Sequence, residues 1–199
     1  MSIRFATAAD LPAMLAIYAP YVENTAYSFE YTPPSPEAFA ARFAHHTAQF
    51  PWLVWEEEGV VLGYAYGSAP FARAAYQWCA EISVYLDPRI HRKGVGRALY
   101  EALERILDRQ GYYLIYTIVT SSNTGSLAFH KALGYRETAV FPDLAYKFGG
   151  CHSVTWLEKR LKPVEIPSEP PIPVAVLVNN DEKFFQILDK IPLSFPFKI

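Results

Sequence analysis

The sequence is poor in the features that mark several large classes of protein. It has only two cysteines, Cys79 and Cys151, and neither lies in a CxxC or Cys/His array, so it predicts neither a disulfide framework nor a zinc or other metal site. No apolar stretch reaches the roughly 18 residues that suggest a membrane span. The first fifteen residues lack the apolar core of a signal peptide. We therefore expect a cytoplasmic protein that does not enter a membrane.

An excess of one charge is missing as well. The chain has 18 Lys and Arg against 20 Asp and Glu, a formal net charge of −2, and the two signs are well mixed. Proteins that bind nucleic acid or anionic membranes usually carry a basic excess, so a small or zwitterionic ligand fits this chain better. With 51% of its 199 residues hydrophobic, the chain can form one sizeable core.

Hydrophobic periodicity predicts a mixed α/β domain over residues 1–162. The expected helices are 11–22, 35–49, 94–111 and 123–133, and the expected strands are 3–6, 52–56, 60–67, 80–86, 113–119, 135–140 and 153–161. Gly111 and Gly134 stand at the ends of two of these helices, where glycine often caps the C-terminus.

The last part of the chain, 163–199, has a different composition. Five of the eleven residues from Pro163 to Pro173 are proline, which predicts a semi-extended linker. The apolar run Val174–Val178 predicts a strand, and Asp181 is a candidate cap for a short helix beyond it. Because such an apolar tail would be prone to aggregate if exposed, we expect it to pack on its own domain or on a second subunit, in a structural role.

The segment His91–Gly96 stands between a strand and the clearest helix of the chain. A loop that turns into a helix N-terminus aims free backbone N–H groups at one point, and the helix dipole adds positive charge there. Such a cradle suits a pyrophosphate. An ordinary capped strand-to-helix turn with basic side chains nearby would have a similar sequence. Neither GxxxxGK[ST] nor GxGxxG after a strand occurs. Two glycines, Gly94 and Gly96, permit close approach, and three cations surround the turn: Arg92, Lys93 and Arg97.

Two segments resemble those of a known family. Glu81–Tyr100 contains HRKGVG and resembles the acetyl-CoA-binding core of GNAT acetyltransferases, whose signature is [QR]xxGx[GA]. Asn123–Tyr135 resembles the family segment NxxSxxxHxxxGF. Within the superfamily, the chain from Ile3 to Leu161 is most similar to phosphinothricin and methionine sulfone/sulfoximine N-acetyltransferases. His91 stands where the superfamily usually has Gln or Arg, and Phe71 where several phosphinothricin enzymes have Lys.

The resemblance implies the GNAT fold, with a mixed, mostly antiparallel central sheet flanked by helices, a homodimer, and acetyl-CoA as cosubstrate. It also implies that the strand ending at Leu86 splays away from the strand that begins at Tyr113 and admits pantetheine. The implied cofactor-binding residues are Val84, Tyr85, Leu86, His91, Arg92, Lys93, Gly94, Val95, Gly96, Arg97, Asn123 and Ser126. Asn123 and Ser126 could equally serve as simple helix N-caps.

Glu81 and His130 are the candidate catalytic residues. Glu81 lies on the polar face of its strand, where a carboxylate could take the proton of an attacking amine or simply be solvated. The resemblance places it at the family's general base. It also places His130 where this subfamily has a histidine that could act as base or acid, although a satisfied helix histidine is the alternative. Which residue takes the first proton stays open.

The resemblance implies a small amino-acid-like substrate. Arg73 is the candidate for binding its carboxylate, because guanidinium can pair with it in a bidentate way. Phe29, Tyr76, Tyr85 and Val154 match positions that shape the family's pocket, or else they are packing residues. The expected reaction is acetyl transfer to the α-amino group of phosphinothricin, methionine sulfone or sulfoximine, or an L-amino acid. The alternatives are a protein or peptide N-acetyltransferase and a non-catalytic acyl-CoA sensor.

Overall fold

The computed structural model describes residues 1–163 and 169–180. The strands are β1 (Ser2–Phe5), β2 (Trp52–Glu57), β3 (Val60–Ser68), β4 (Cys79–Leu86), β5 (Leu114–Thr120), β6 (Arg136–Lys147) and β7 (Gly150–Arg160). The α-helices are α1 (Leu11–Asn24), α2 (Pro36–Thr47), α3 (Val95–Gln110), α4 (Thr124–Ala132) and α5 (Val174–Asn180).

The strands form one sheet in the order β1-β2-β3-β4-β5-β7-β6. Within the described residues only the β4–β5 pair is parallel, so the predicted mixed, mostly antiparallel sheet is confirmed. That parallel pairing covers just Cys79–Glu81 and Leu114–Tyr116. Beyond it both strands continue without pairing to each other. The sheet therefore opens between β4 and β5.

Helices cover both faces of the sheet. On one face α3 buries Leu99, Leu103 and Ile106 against Ile82 and other strand residues. The side chains of α1 and α2 cover the other face, where they contact Trp52 and Tyr64 in a second cluster. Because alternate strand residues point to opposite faces, Ile82 faces α3 whereas Tyr85, an odd number of positions away, faces α1.

The β6–β7 hairpin is longer than the sequence predicted. The prediction ended the first strand at residue 140 and began the second at 153, whereas β6 runs to Lys147 and β7 begins at Gly150. Most side chains of β6 are exposed, and the register shifts between Phe141 and Ala145. An exposed edge strand with a bulge has no clear alternation of polar and apolar residues, so periodicity missed it.

The predicted strand at 174–178 is wrong, because the segment is helical. Val174 and Leu177, one turn apart, are buried against the core beneath α3. The preceding segment is fastened to the domain by Ile172 N, which donates to Gln110 O at 2.8 Å, and by Val174 N, which donates to Gln49 O at 3.1 Å. The helix predicted after Asp181 lies outside the described residues. None of the described helices is long and apolar enough to span a membrane.

Candidate active site

A cleft lies where β4 and β5 separate. It passes through the sheet, since its lining includes tyrosines of the α1 face and polar residues of the α3 and α4 face. The lining residues are Tyr21, Tyr27, Ser83, Val84, Tyr85, Tyr100, Thr117, Ile118, Val119, Thr120, Asn123, Ser126 and His130. The divergence of the strands leaves backbone groups of β4 without a β5 partner. This is the place where a ligand can bind to a strand edge.

Glu81 lies at the point where the two strands part. It is the last β4 residue paired with β5, in register with Tyr116, and Ser83 two residues later is the first β4 residue that lines the cleft. Burial raises the pKa of Glu81 to about 7. Among the described residues its carboxyl group has no hydrogen-bond or ion-pair partner. A carboxyl group of this kind can accept a proton near neutral pH.

His130 is buried on α4, with 3% of its surface exposed. Its Nδ1 lies 2.7 Å from the Ser126 carbonyl oxygen, which can only accept, so Nδ1 carries the proton and donates it. Its Nε2 must then accept, and it lies 2.9 Å from the hydroxyl of Tyr100. Burial lowers the pKa of His130 to about 4. The imidazole is therefore neutral at pH 7, and both of its nitrogens have hydrogen-bond partners.

Sequence reasoning missed Tyr100 and Thr117, whose hydroxyl groups both reach His130 Nε2, at 2.9 and 3.2 Å respectively. Both residues line the cleft. Tyr100 follows Leu99 on the buried face of α3, and a phenol on an apolar helix face needs a hydrogen-bond partner. That requirement is the signal that could have identified Tyr100. Thr117 lies within an apolar strand and gave no comparable signal.

The α3 N-terminus has the geometry of an anion cradle. Gly94 caps the helix with φ of +79°, and the N–H groups of Gly94, Val95 and Gly96 have no acceptor within the described residues. A Cβ on Gly96 would lie 3.4 Å from the Phe129 ring, at van der Waals contact. The nearby cations are exposed: Arg92, Lys93 and Arg97. These donors and charges suit a pyrophosphate.

His91, at the start of the same loop, is directed toward the protein. Its Nε2 lies 3.2 Å from the Tyr21 hydroxyl and 3.2 Å from the Leu86 carbonyl oxygen. That oxygen also accepts from Tyr21 at 2.7 Å. The Leu86 carbonyl thus has partners of its own. Val84 is then the cleft-lining β4 residue whose backbone groups face the opening, since the backbone of Tyr85 faces Tyr64 of β3.

At the start of α4, Asn123 and Ser126 line the cleft. Asn123 Oδ1 accepts a hydrogen bond from Ser126 N at 3.1 Å, which confirms that Asn123 is the helix N-cap. Capping holds the amide in place and keeps both residues at the cleft wall. The structural role and a ligand-contacting role are therefore compatible.

The residues suggested for the substrate lie in three places. Tyr85 lines the cleft, 4.8 Å between ring centres from Tyr18, and Val154 is buried in register with the cleft residue Thr120. Phe29 lies in the α1–α2 loop. Arg73 and Tyr76 are exposed in the β3–β4 loop outside the cleft lining. Within the described residues the Arg73 guanidinium has no hydrogen-bond or ion-pair partner.

Phe71, also in the β3–β4 loop, forms an aromatic surface beside Glu81. Its ring is stacked on Trp156 with 5.8 Å between ring centres and lies edge-on to Tyr116 at 6.0 Å. Tyr116 is the β5 residue in register with Glu81. The position is therefore apolar and contributes no positive charge.

Comparison with known proteins agrees with this geometry. The family model described as "Acetyltransferase (GNAT) domain" matches residues 3–156. The chain is 36% identical to phosphinothricin N-acetyltransferase of Streptomyces viridochromogenes, covering 87% of this chain and 93% of that protein. It is 34% identical to the L-methionine sulfoximine/L-methionine sulfone acetyltransferase of Salmonella typhimurium, covering 81% and 95%.

A solved structure shows the same fold. The GNAT superfamily phosphinothricin acetyltransferase from Sinorhizobium meliloti, determined in complex with AcCoA, superposes with a TM-score of 0.82 at 32% identity. The match covers 87% of this chain and 96% of that one. On this evidence of sequence and fold, the chain belongs to the GNAT acetyltransferase family.

Proposed function

We propose that this protein transfers the acetyl group of acetyl-CoA to the α-amino group of a small amino-acid-like substrate. The observation that carries the proposal is the position of Glu81, a desolvated carboxyl group at the point where β4 and β5 part, two residues before the cleft-lining Ser83. The relatives named for phosphinothricin and for methionine sulfoximine or sulfone support this substrate class.

Acetyl-CoA supplies an activated thioester. The free N–H groups of Gly94, Val95 and Gly96 would hold its pyrophosphate, with the cations Arg92, Lys93 and Arg97 around it. The backbone edge of β4 at Val84 would bind pantetheine, and Tyr85 would contact it through its side chain. Asn123 and Ser126 would contact the same arm from α4, while Leu86 and His91 would support the loop.

In the proposed reaction Glu81 takes the first proton. A protonated amine cannot attack a carbonyl, and a carboxyl group whose pKa is about 7 can accept the amine proton directly or through water. Attack by the neutral amine forms the C–N bond, and the C–S bond then breaks and releases the CoA thiolate. The second proton of the amine nitrogen reaches this thiolate through the Tyr100 hydroxyl group in the cleft and gives the CoA thiol. His130, whose pKa is about 4, holds no transferable proton on Nε2 at pH 7. We therefore assign His130 the task of holding the Tyr100 and Thr117 hydroxyl groups in the cleft.

For the substrate, Arg73 would bind the carboxylate, and Tyr85 and Val154 would contact the remainder, with Phe29 and Tyr76 in the bordering loops. Phe71 favours a substrate side chain without charge, as in the sulfone and sulfoximine, because an apolar ring surface does not compensate the desolvation of an anion. A phosphinate anion would gain nothing from that surface. Methionine sulfone and sulfoximine are therefore expected to be better substrates than phosphinothricin.

The test is release of the CoA thiol from acetyl-CoA over a panel of amines: L-amino acids, methionine sulfone, methionine sulfoximine, phosphinothricin and a lysine peptide. We expect turnover of a free amino acid, with kcat reduced by about 10²-fold or more in Glu81→Gln. Turnover of the peptide alone would favour a protein acetyltransferase. Tight acetyl-CoA binding without turnover of any amine would favour a sensor.

We also propose that the protein is a cytoplasmic homodimer whose catalytic domain is 1–162, with 163–199 as an appended tail. Support for the dimer comes from β6 and its turn, which expose five large apolar side chains within nine residues. They are Val140 (54%), Phe141 (42%), Leu144 (60%), Tyr146 (59%) and Phe148 (62%). A second copy is the partner that the family resemblance implies.

A further inference from the structure

Lys147, at the end of β6, is one of the most deeply buried side chains of the protein, with 1% of its surface exposed. Its ammonium donates to the carbonyl oxygens of Val22 at 2.6 Å, Thr25 at 3.0 Å and Ser28 at 2.7 Å. All three of its donors are therefore used. No carboxylate forms an ion pair with it within the described residues. The charge is stabilised by these carbonyls at the C-terminal end of the α1 dipole, by the Phe148 ring 4.9 Å from Nζ and by the charge of Glu30.

The three carbonyls belong to the end of α1 and the loop that follows it. Thr120, at the end of β5, also binds this loop, because its hydroxyl donates to Ala26 O at 2.5 Å. Between these anchors lies Tyr27, which lines the cleft. A loop of this kind has few backbone hydrogen bonds of its own, so its shape depends on the side chains that bind it.

The hairpin and the loop meet again beyond Lys147. The Tyr31 hydroxyl donates to Tyr146 O at 2.9 Å, and His152 Nε2 donates to Lys147 O at 3.0 Å. The His152 ring in turn lies 6.2 Å from that of Phe29, between ring centres. The contacts of Lys147 thus extend to a second residue that we assign to the substrate side.

We propose that Lys147 is a positioning residue for the amine-binding side of the active site: by binding Val22, Thr25 and Ser28 it fixes the 25–31 loop and with it Tyr27 and Phe29. The proposal rests on the proposed function in that it assigns this loop to the amine substrate. It predicts that loss of the ammonium affects the amine more than acetyl-CoA, whose cradle at the α3 N-terminus lies on another element.

The test compares Lys147→Met with Lys159→Met. Methionine keeps an unbranched apolar stem, one atom shorter than lysine, but donates no hydrogen bond. Lys159 is the control, since its side chain is 26% exposed and its Nζ binds Glu104 at 2.6 Å, away from the loop. For Lys147→Met we expect the KM of the amine to rise about tenfold or more while the KM of acetyl-CoA changes less than about twofold. Lys159→Met should lower thermal stability without changing the KM of the amine more than the KM of acetyl-CoA.

Tyr31→Phe is a second variant that will fold, because Tyr31 is 71% exposed and only its hydroxyl is removed. It should raise the KM of the amine alone, by about threefold. Equal changes in both KM values, or none in a folded Lys147→Met protein, would overturn the proposal. Hydrogen exchange provides a readout that needs no turnover: amides 22–31 should exchange faster in Lys147→Met. If they do and the wild type acetylates no amine, the proposed function fails while the structural link stands.

Discussion

At the scale of the residue, Glu81 has an energetic cost as well as a catalytic assignment. Its pKa is raised by burial from 4.5 to about 7, which means that the folded state disfavours the charged carboxylate. Between these two values the unfolded chain is ionised while the folded protein holds a proton. Stability therefore falls as pH rises through this window, and the full cost is present above pH 7.

From this cost we predict that Glu81→Gln stabilises the protein at alkaline pH. The shift corresponds to about 3 kcal/mol, so the free energy of unfolding of the variant should exceed that of the wild type by up to about this amount at pH 8. Near pH 4 the two should be equal, since the carboxyl is then protonated in both states. Urea denaturation at both pH values measures the difference. An equal gain at both would show that burial of charge is not the cause.

At the scale of the element, the α3 N-terminus depends on a left-handed residue. Gly94 has φ of +79°, a conformation that β-branched residues avoid, and its N–H belongs to the proposed pyrophosphate cradle. Gly149, in the β6–β7 turn, has nearly the same φ of +76°, and a Cβ added there would meet nothing within 4 Å. A β-branched residue would therefore be strained at either position, but only Gly94 belongs to the proposed pyrophosphate cradle.

We predict that Gly94→Val weakens acetyl-CoA binding, with Kd rising about tenfold or more because the strained loop no longer aims its N–H groups at one point. Gly149→Val should be destabilised by a comparable strain of about 1–2 kcal/mol and should keep the wild-type Kd. Isothermal titration calorimetry with acetyl-CoA separates the two variants. A normal Kd in folded Gly94→Val would remove the cradle from the binding site.

At the scale of the whole molecule, α5 closes the apolar core beside α3. Leu177 is 8% exposed and packs against the main core, whereas Val176 on the same helix is 42% exposed. Leu177→Ala should lower the free energy of unfolding by about 2–4 kcal/mol, because it leaves a cavity, and should not change either KM. Val176→Ala is the control and should be nearly neutral. Chemical denaturation tests the stability, and a KM change in Leu177→Ala would contradict a purely structural role for the tail.

The proposed dimer makes a second prediction at this scale. A charge on the exposed β6 surface would have to be buried between subunits, so Leu144→Glu should convert a dimer into a monomer. Val60, also apolar and 52% exposed, lies on β3, four strands away from β6 in the sheet, and Val60→Glu should leave assembly unchanged. Light scattering coupled to size exclusion measures the mass. A monomeric wild type would reject the homodimer.

The sequence by itself determined the elements whose signals are local. The apolar stripe of α3, its glycine cap and the alternation of β4 follow from residue spacing, and they placed Glu81 and the cradle of the α3 N-terminus on adjoining elements. The edge hairpin and α5 were misjudged, because their short or exposed segments carry little periodicity.

Only the tertiary structure decided how these parts act. The hydroxyl group that binds His130 Nε2 belongs to Tyr100, which is 30 residues away, and the environment of Lys147 is set by carbonyls 119 to 125 residues away. The pKa of Glu81 depends on how completely the folded sheet excludes water. Hydrogen bonds and desolvation depend on distances between segments that are remote in the chain, and local residue patterns do not specify those distances.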